Sequence, residues 1–168
     1  AEGKVCEVAF GSSAESGAQN APANPTSRPR ETVPAARATL EVLTALADAR
    51  AVIVGPSNPV ISIWPILSVL GEALAGLTAP VVCVSPVVGG EIVKGPTKAF
   101  LEAYEQPLSA VGVAAFYEMV QPGLLDGMIA DEPTAGVAML EIDTAMPDGA
   151  TRARVAEQTL AFADSLAG

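Results

Sequence analysis

Short apolar runs alternate with stretches of helical periodicity along most of this chain. Ala51 to Val54 and Pro80 to Ser85 (PVVCVS) are apolar almost throughout, as in parallel strands buried on both faces. Gly127 to Ala130 and Met139 to Ile142 repeat that pattern less regularly. Between these runs, Leu40, Leu43, Leu46 and Ala47 recur at helical spacing and predict a core-facing helix capped by Thr39 and ending near Arg50. A second helix is predicted from about Ser62 to Leu74, with Gly76 closing it. A third covers Pro96 to Tyr104 with Phe100, Leu101 and Tyr104 inward, and a fourth lies near Gly112 to Val120. The last, capped by Asp148, turns Ala153, Ala156, Leu160, Ala163 and Leu166 to one side. This succession of strands and helices implies an α/β fold, Rossmann-like and three-layered, with a mainly parallel sheet and helices on both faces. Ligands of such folds sit at the carboxyl ends of the strands. The opening segment differs. Lys4 to Phe10 alternates like a strand, with Cys6, Val8 and Phe10 on one face, whereas Gly11 to Val33, rich in Ser, Gly, Ala, Asn and Pro, predicts a mobile loop.

Composition narrows the classes of function. With 168 residues the chain suits a single domain, and its hydrophobic half contains so few aromatics (4%) that the core is built from Ala, Val, Leu and Ile. A net charge of −10 argues against nucleic acid and anionic membranes as partners, so any phosphate is bound locally. The absence of histidine rules out a Ser-His-Asp triad and removes the commonest metal ligand. Cys6 and Cys83 lie inside apolar strand patterns and read as buried thiols. The chain has no charged-then-apolar leader and no membrane-length apolar run, which makes the cytoplasm the expected location. It opens at Ala1 in strand-like sequence, as a fragment or processed piece would.

One junction stands out chemically. In AVIVGPSNPVISIWPIL an apolar strand enters a polar turn between Pro56 and Pro59 and leaves as an apolar helix. Unpaired N–H groups at a helix start, at the positive end of its dipole, make such a junction a phosphate site without a base or a metal. Ser57, Asn58 and Ser62 add polar side chains, and the bland alternative is an ordinary connector with Ser62 capping the helix. The loop Pro86 to Gly95 would lie at the same sheet edge. Its Gly89, Gly90 and Gly95 permit close backbone approach, and Lys94 supplies a point charge. Neither loop is a dinucleotide fingerprint, and GEIVKGPT is not a P-loop because proline stands where the motif has its lysine and Lys94 comes too early, before the second glycine. Trp64 reads as core. Asp126, Asp131 and Glu132 flank GMIA; a surface role is their ordinary explanation, metal or proton chemistry the alternative.

The helix TLEVLTALADAR, the junction AVIVGPSNPVISIWPIL, the segment VVCVSPVVGGEIVKGPTKAF, and LLDGMIADE, DTAM and PDGATRARVAEQTLAFA together resemble the C-terminal half of the 2-phospho-L-lactate transferase family. The resemblance spans nearly the whole chain except Gly11 to Val33. It implies half of a larger Rossmann-like domain and a role in coenzyme F-420 biosynthesis. There a guanosine-diphosphate-activated phospho-acid, 2-phospho-L-lactate or phosphoenolpyruvate, is joined to the deazaflavin Fo with release of GMP. Matching positions are Gly55, Pro56, Ser57, Asn58, Pro59, Ser62 and Ile63 in the first loop. Ser85, Pro86, Gly90, Lys94, Gly95 and Pro96 match in the second. Mg²⁺ is the implied metal, with ligands expected outside this chain. The implied partners are a guanine nucleotide, Fo, and an N-terminal half or a further copy of the chain. Two other readings remain. A related family of gluconeogenesis factors binds sugar nucleotides without known chemistry, though it tends to carry GPGSL-like residues where this chain has GPSNP. The chain would otherwise be a structural half-domain docking another polypeptide through a free sheet edge.

Overall fold

The computed structural model describes residues 36–92 and 95–167. The predicted strand Lys4 to Phe10, the loop Gly11 to Val33, and Lys94 lie outside the described residues. Four parallel strands form the sheet: β1 (Val52–Val54), β2 (Val81–Val84), then, after a small antiparallel hairpin of β3 (Val87–Val88) and β4 (Glu91–Ile92), β5 (Gly127–Ala130) and β6 (Ala138–Glu141). Their spatial order is β1-β2-β5-β6. The helices are α1 (Leu40–Ala47), α2 (Trp64–Ala75), α3 (Thr97–Ala103), α4 (Ala110–Val120) and α5 (Gly149–Leu166). A five-residue π-helical turn, Pro59–Ile63, leads into α2.

Strand periodicity divides the interior into two cores. Side chains alternate between the faces of a strand. Val81 and Cys83 of β2 and Met128 of β5 join the larger core, which holds Leu67 of α2, Leu101 of α3 and Phe116 of α4. Val82, Val84 and Ile129 face the other way, against Val155 and Ala163 of α5. The result is the expected three-layer α/β architecture. The few aromatics cluster on the larger core, where Trp64 meets Tyr104 and Phe116 edge-on, both at 5.9 Å between ring centroids. Trp64 is thus core.

Three expectations require correction. The helix at Thr39 exists, and Thr39 caps it, but α1 buries no residue and Leu40 is 75% exposed. The strand feeding the junction is not buried on both faces: β1 lies at the edge of the described sheet, and Ile53 is 38% exposed. On α5 the buried line is Val155, Thr159 and Ala163, while Leu160 is 52% exposed and Ala153 and Ala156 also face outward. Alanine misled that reading because it counts as apolar yet loses little by facing water, whereas the Thr159 hydroxyl is buried by donating to the Val155 carbonyl at 2.7 Å. Cys83 lies fully buried as expected, and burial pushes its thiol up to about 12, the Tyr117 hydroxyl pulling the other way.

Candidate functional site

The junction after β1 is organised by one side chain. Asn58 Oδ1 accepts from the N–H groups of Val60 (2.9 Å) and Ile61 (3.0 Å). Its main-chain carbonyl accepts from Ser62 and Ile63, both at 3.1 Å, which sets the wide π-helical geometry of the turn. Asn58 Nδ2 donates to Thr97 Oγ1 at 3.1 Å, tying the junction to the start of α3. The cap is therefore Asn58, not Ser62. The arrangement also departs from the expected row of open amides. Pro56 and Pro59 have no N–H, the Ser57 N–H turns back to the Gly55 carbonyl at 2.8 Å, and Asn58 occupies the next two. What the turn offers outward is the Asn58 N–H and the hydroxyls of Ser57 and Ser62.

The second loop is held as firmly. Ser85 Oγ accepts from the Val87 N–H and donates to the Val87 carbonyl, closing a tight turn beyond β2. The β3–β4 hairpin then reverses through Gly89 and Gly90, at φ of 61° and 73°, a conformation other residues rarely take. Asp131, just past β5, accepts from the Gly89 N–H and fastens the hairpin to the sheet. Glu132 accepts from Ala110 at the start of α4. Asp126 sits at the opposite end of β5 and accepts from the Val81 N–H. These three carboxylates thus anchor backbone, where the sequence suggests a surface role, and the described residues assemble no group of three or more Asp, Glu, Cys or His suited to a metal.

Between the two loops, at the carboxyl edge of the sheet, lies a cavity of about 690 Å³. Pro56, Ser57, Asn58 and Ser62 line one side, and Ser85, Pro86 and Gly95 another. Other predicted positions fall elsewhere. Gly55 borders a neighbouring apolar pocket of about 260 Å³, Pro59 is buried beneath the turn, Ile63 packs on the larger core, and Gly90 is exposed at the hairpin tip. The cavity also recruits residues that periodicity did not single out: Thr97, Thr144 and the segment through Pro147 beyond β6. That segment is shaped locally. The Asp143 carboxylate accepts from Ala145 N–H at 2.9 Å, and Arg154 donates to the Asp143 carbonyl at 2.7 Å. Arg154 is therefore a brace for the cavity wall. The Asp–Thr–Ala order was the one available signal, since Asp two residues before a small residue favours such a turn.

A parallel α/β sheet with helices and a cavity at its carboxyl edge has the Rossmann-like architecture, in which ligands characteristically sit at that edge. Residues 8–160 match the family described as 2-phospho-L-lactate transferase CofD, and the chain belongs to that family. It is 37% identical over 140 residues to a phosphoenolpyruvate transferase of Kitasatospora aureofaciens, covering 74% of this chain and 41% of that protein. It is 36% identical over 129 residues to a 2-phospho-L-lactate transferase of Methanospirillum hungatei, covering 77% and 39%. The 2-phospho-L-lactate transferase of Methanopyrus kandleri is 35% identical over 127 residues, covering 73% and 41%. The chain thus spans about two-fifths of the length of these relatives.

Proposed function

We propose that this chain supplies the nucleotide-phosphate loops of a transferase in coenzyme F-420 biosynthesis. In that reaction a hydroxyl of Fo attacks the phosphorus of a guanosine-diphosphate-activated phospho-acid. A new P–O bond joins the phospho-acid to Fo, the bridging P–O bond breaks, and GMP leaves. The observation carrying this reading is convergence: two loops distant in sequence, each proposed for phosphate contact, border one cavity at the carboxyl edge of the parallel strands. Phosphoryl transfers of this kind depend chiefly on in-line positioning and on neutralising charge. Within this reading, Ser57, Asn58 and Ser62 hold phosphoryl oxygens, and Pro86 and Gly95 allow the ligand to approach the backbone. The Mg²⁺ that the family resemblance implies is expected to take its protein ligands outside this chain, and the described residues hold no cluster of three or more Asp, Glu, Cys or His. The proposed location is the cytoplasm; no described helix is long and apolar enough to cross a membrane.

The uncovered Ile53 on the β1 edge and Leu40 on α1 support a companion in this reading, an N-terminal half or a second copy. Calorimetric titration with GDP, GMP and a UDP-sugar in the presence of Mg²⁺ tests the proposal. Guanine nucleotides are expected to bind in preference. Preference for the UDP-sugar moves the chain to the regulator class, and the absence of binding, with and without a family N-terminal half, removes the nucleotide site.

A further inference from the structure

Three buried hydroxyls line the cavity between the loops, and their bonding separates them. Ser85 is 1% exposed and spends its hydroxyl on both the N–H and the carbonyl of Val87. Thr97, 2% exposed, accepts from Asn58 Nδ2. Thr144 is 1% exposed, and its Oγ1 has no hydrogen-bond partner. A buried hydroxyl left without a partner costs more than the ordinary net worth of the bond it lacks, so it needs a reason. The surrounding backbone supplies one. The Asp143 carboxylate on the Ala145 N–H and Arg154 on the Asp143 carbonyl fix the segment that carries Thr144, a residue of the cavity wall, without engaging its hydroxyl.

We infer that Thr144 is a specificity-determining residue whose hydroxyl bonds an uncharged polar group, a hydroxyl or ring carbonyl, of the ligand held in the cavity. The inference rests on the proposed function above. The partner is uncharged because none of the described lining residues carries a charge and the flanking Ala145, Met146 and Pro147 are apolar. Bringing an ionised phosphate to so occluded a hydroxyl would strip its water without a counter-charge, whereas a neutral group meets a far smaller penalty. The phosphoryl oxygens then belong at the opposite, Ser57–Ser62 side, and the neutral portion of the same or a second ligand at Thr144. Two sources share this chemistry: the ribose or base of a guanine nucleotide, and the ring or hydroxylated chain of the deazaflavin.

The test compares Thr144→Val, which keeps shape and removes the hydroxyl, with Thr144→Ser, which keeps the hydroxyl. GDP and Fo are titrated separately by calorimetry, and thermal unfolding is recorded without ligand. Thr144→Val is expected to unfold at the wild-type temperature or above and to bind one of the two probes about three- to tenfold more weakly, as loss of a neutral hydrogen bond dictates. Thr144→Ser restores the affinity. Whichever probe is weakened identifies the source. Wild-type affinity for both probes in Thr144→Val overturns the inference alone, and so does a lowered unfolding temperature in the ligand-free valine variant, which would reveal a structural bond. A loss well beyond about tenfold, in the range of a charged partner, overturns the neutral assignment. Failure of the wild-type chain to bind either probe removes the proposed function and this inference with it.

Discussion

Replacing Asn58 separates the work it does for the fold from the work proposed for it in binding. Its carboxamide caps Val60 and Ile61 and donates to Thr97, whose hydroxyl is only 2% exposed. Asn58→Ala loses the cap, worth about 1 kcal/mol, and strands the Thr97 hydroxyl, worth about 1 to 2 kcal/mol more. The expected loss is therefore about 2 to 3 kcal/mol, read as a lower urea midpoint with an unchanged slope. Asn58→Asp is the discriminating partner. A carboxylate still accepts from both amides, gains from the helix dipole, and can accept from a rotated Thr97 hydroxyl, so stability stays within about 1 kcal/mol of wild type. It also places a negative charge on the cavity wall. At 4 Å from a phosphoryl oxygen the repulsion is between about 1 and 4 kcal/mol, depending on how much water screens it, so GDP affinity drops about tenfold or more. An alanine variant as stable as wild type refutes the capping account. A folded aspartate variant that binds GDP at wild-type strength takes the phosphate away from this wall.

Gly112→Ala tests the packing of α4, because an added Cβ would stand 1.9 Å from the Pro107 carbonyl oxygen, a backbone atom that cannot swing aside. A loss of about 3 kcal/mol or more is expected in denaturant unfolding, with insoluble expression as the extreme; near-wild-type stability would contradict the close approach. The Asp148 carboxyl, capping α5, is held below its ordinary value of 3.8, first by the Thr151 N–H and then by its hydroxyl. Because the folded group is the stronger acid, its contribution is present above 3.8 and disappears as pH falls through the lower folded value. Circular dichroism at 222 nm should thus record an acid loss of helix that Asp148→Asn, an equally good cap that does not titrate, lacks. Cys83 is fully buried with its thiol pushed up to about 12, so in a Cys6→Ser background it should resist a thiol reagent at pH 8 until urea unfolds the chain. Rapid modification of the folded protein would show that the strand opens locally.

Periodicity and capping made most of this fold legible before any coordinates. Thr39, Ser109 and Asp148 each stand before a helix as caps; two were read correctly, and α4 began near its expected start. The buried run PVVCVS became β2 with every strand residue buried, and GMIA became β5 without a shift. What failed was neighbourhood. Whether a strand of three apolar residues is central or at an edge depends on what pairs beside it, and nothing within VIV records that. The same holds for α1, whose leucines announce an apolar face but not what covers it. In the site, the turn residues were legible because proline, serine and asparagine have strong local preferences. Thr144 was not, because it enters the cavity through the order of the sheet, which sets β6 beside β5 and brings its trailing segment round to the mouth.

The self-capping of the junction changes how the proposed phosphate recognition would have to work. A helix start binds anions well when its first amides are vacant, and in this turn Asn58 has filled them with its own oxygen. An arriving phosphate therefore competes with an internal acceptor rather than satisfying an empty site, and the gain from the helix dipole is already shared. The groups that remain unspent are the Ser57 and Ser62 hydroxyls and the Asn58 N–H, which recognise oxygen by geometry but carry no charge. With a chain at −10 and no charged residue among the described lining, they would, in the proposed reading, orient a phosphate without neutralising it. On that reading, orientation and neutralisation are separate tasks. The junction would supply the first and a group beyond the described lining the second, either Lys94 or the implied Mg²⁺. GDP affinity that rises with added Mg²⁺ while Fo affinity does not assigns the task to the metal, and GDP affinity lost in Lys94→Met assigns it to the lysine.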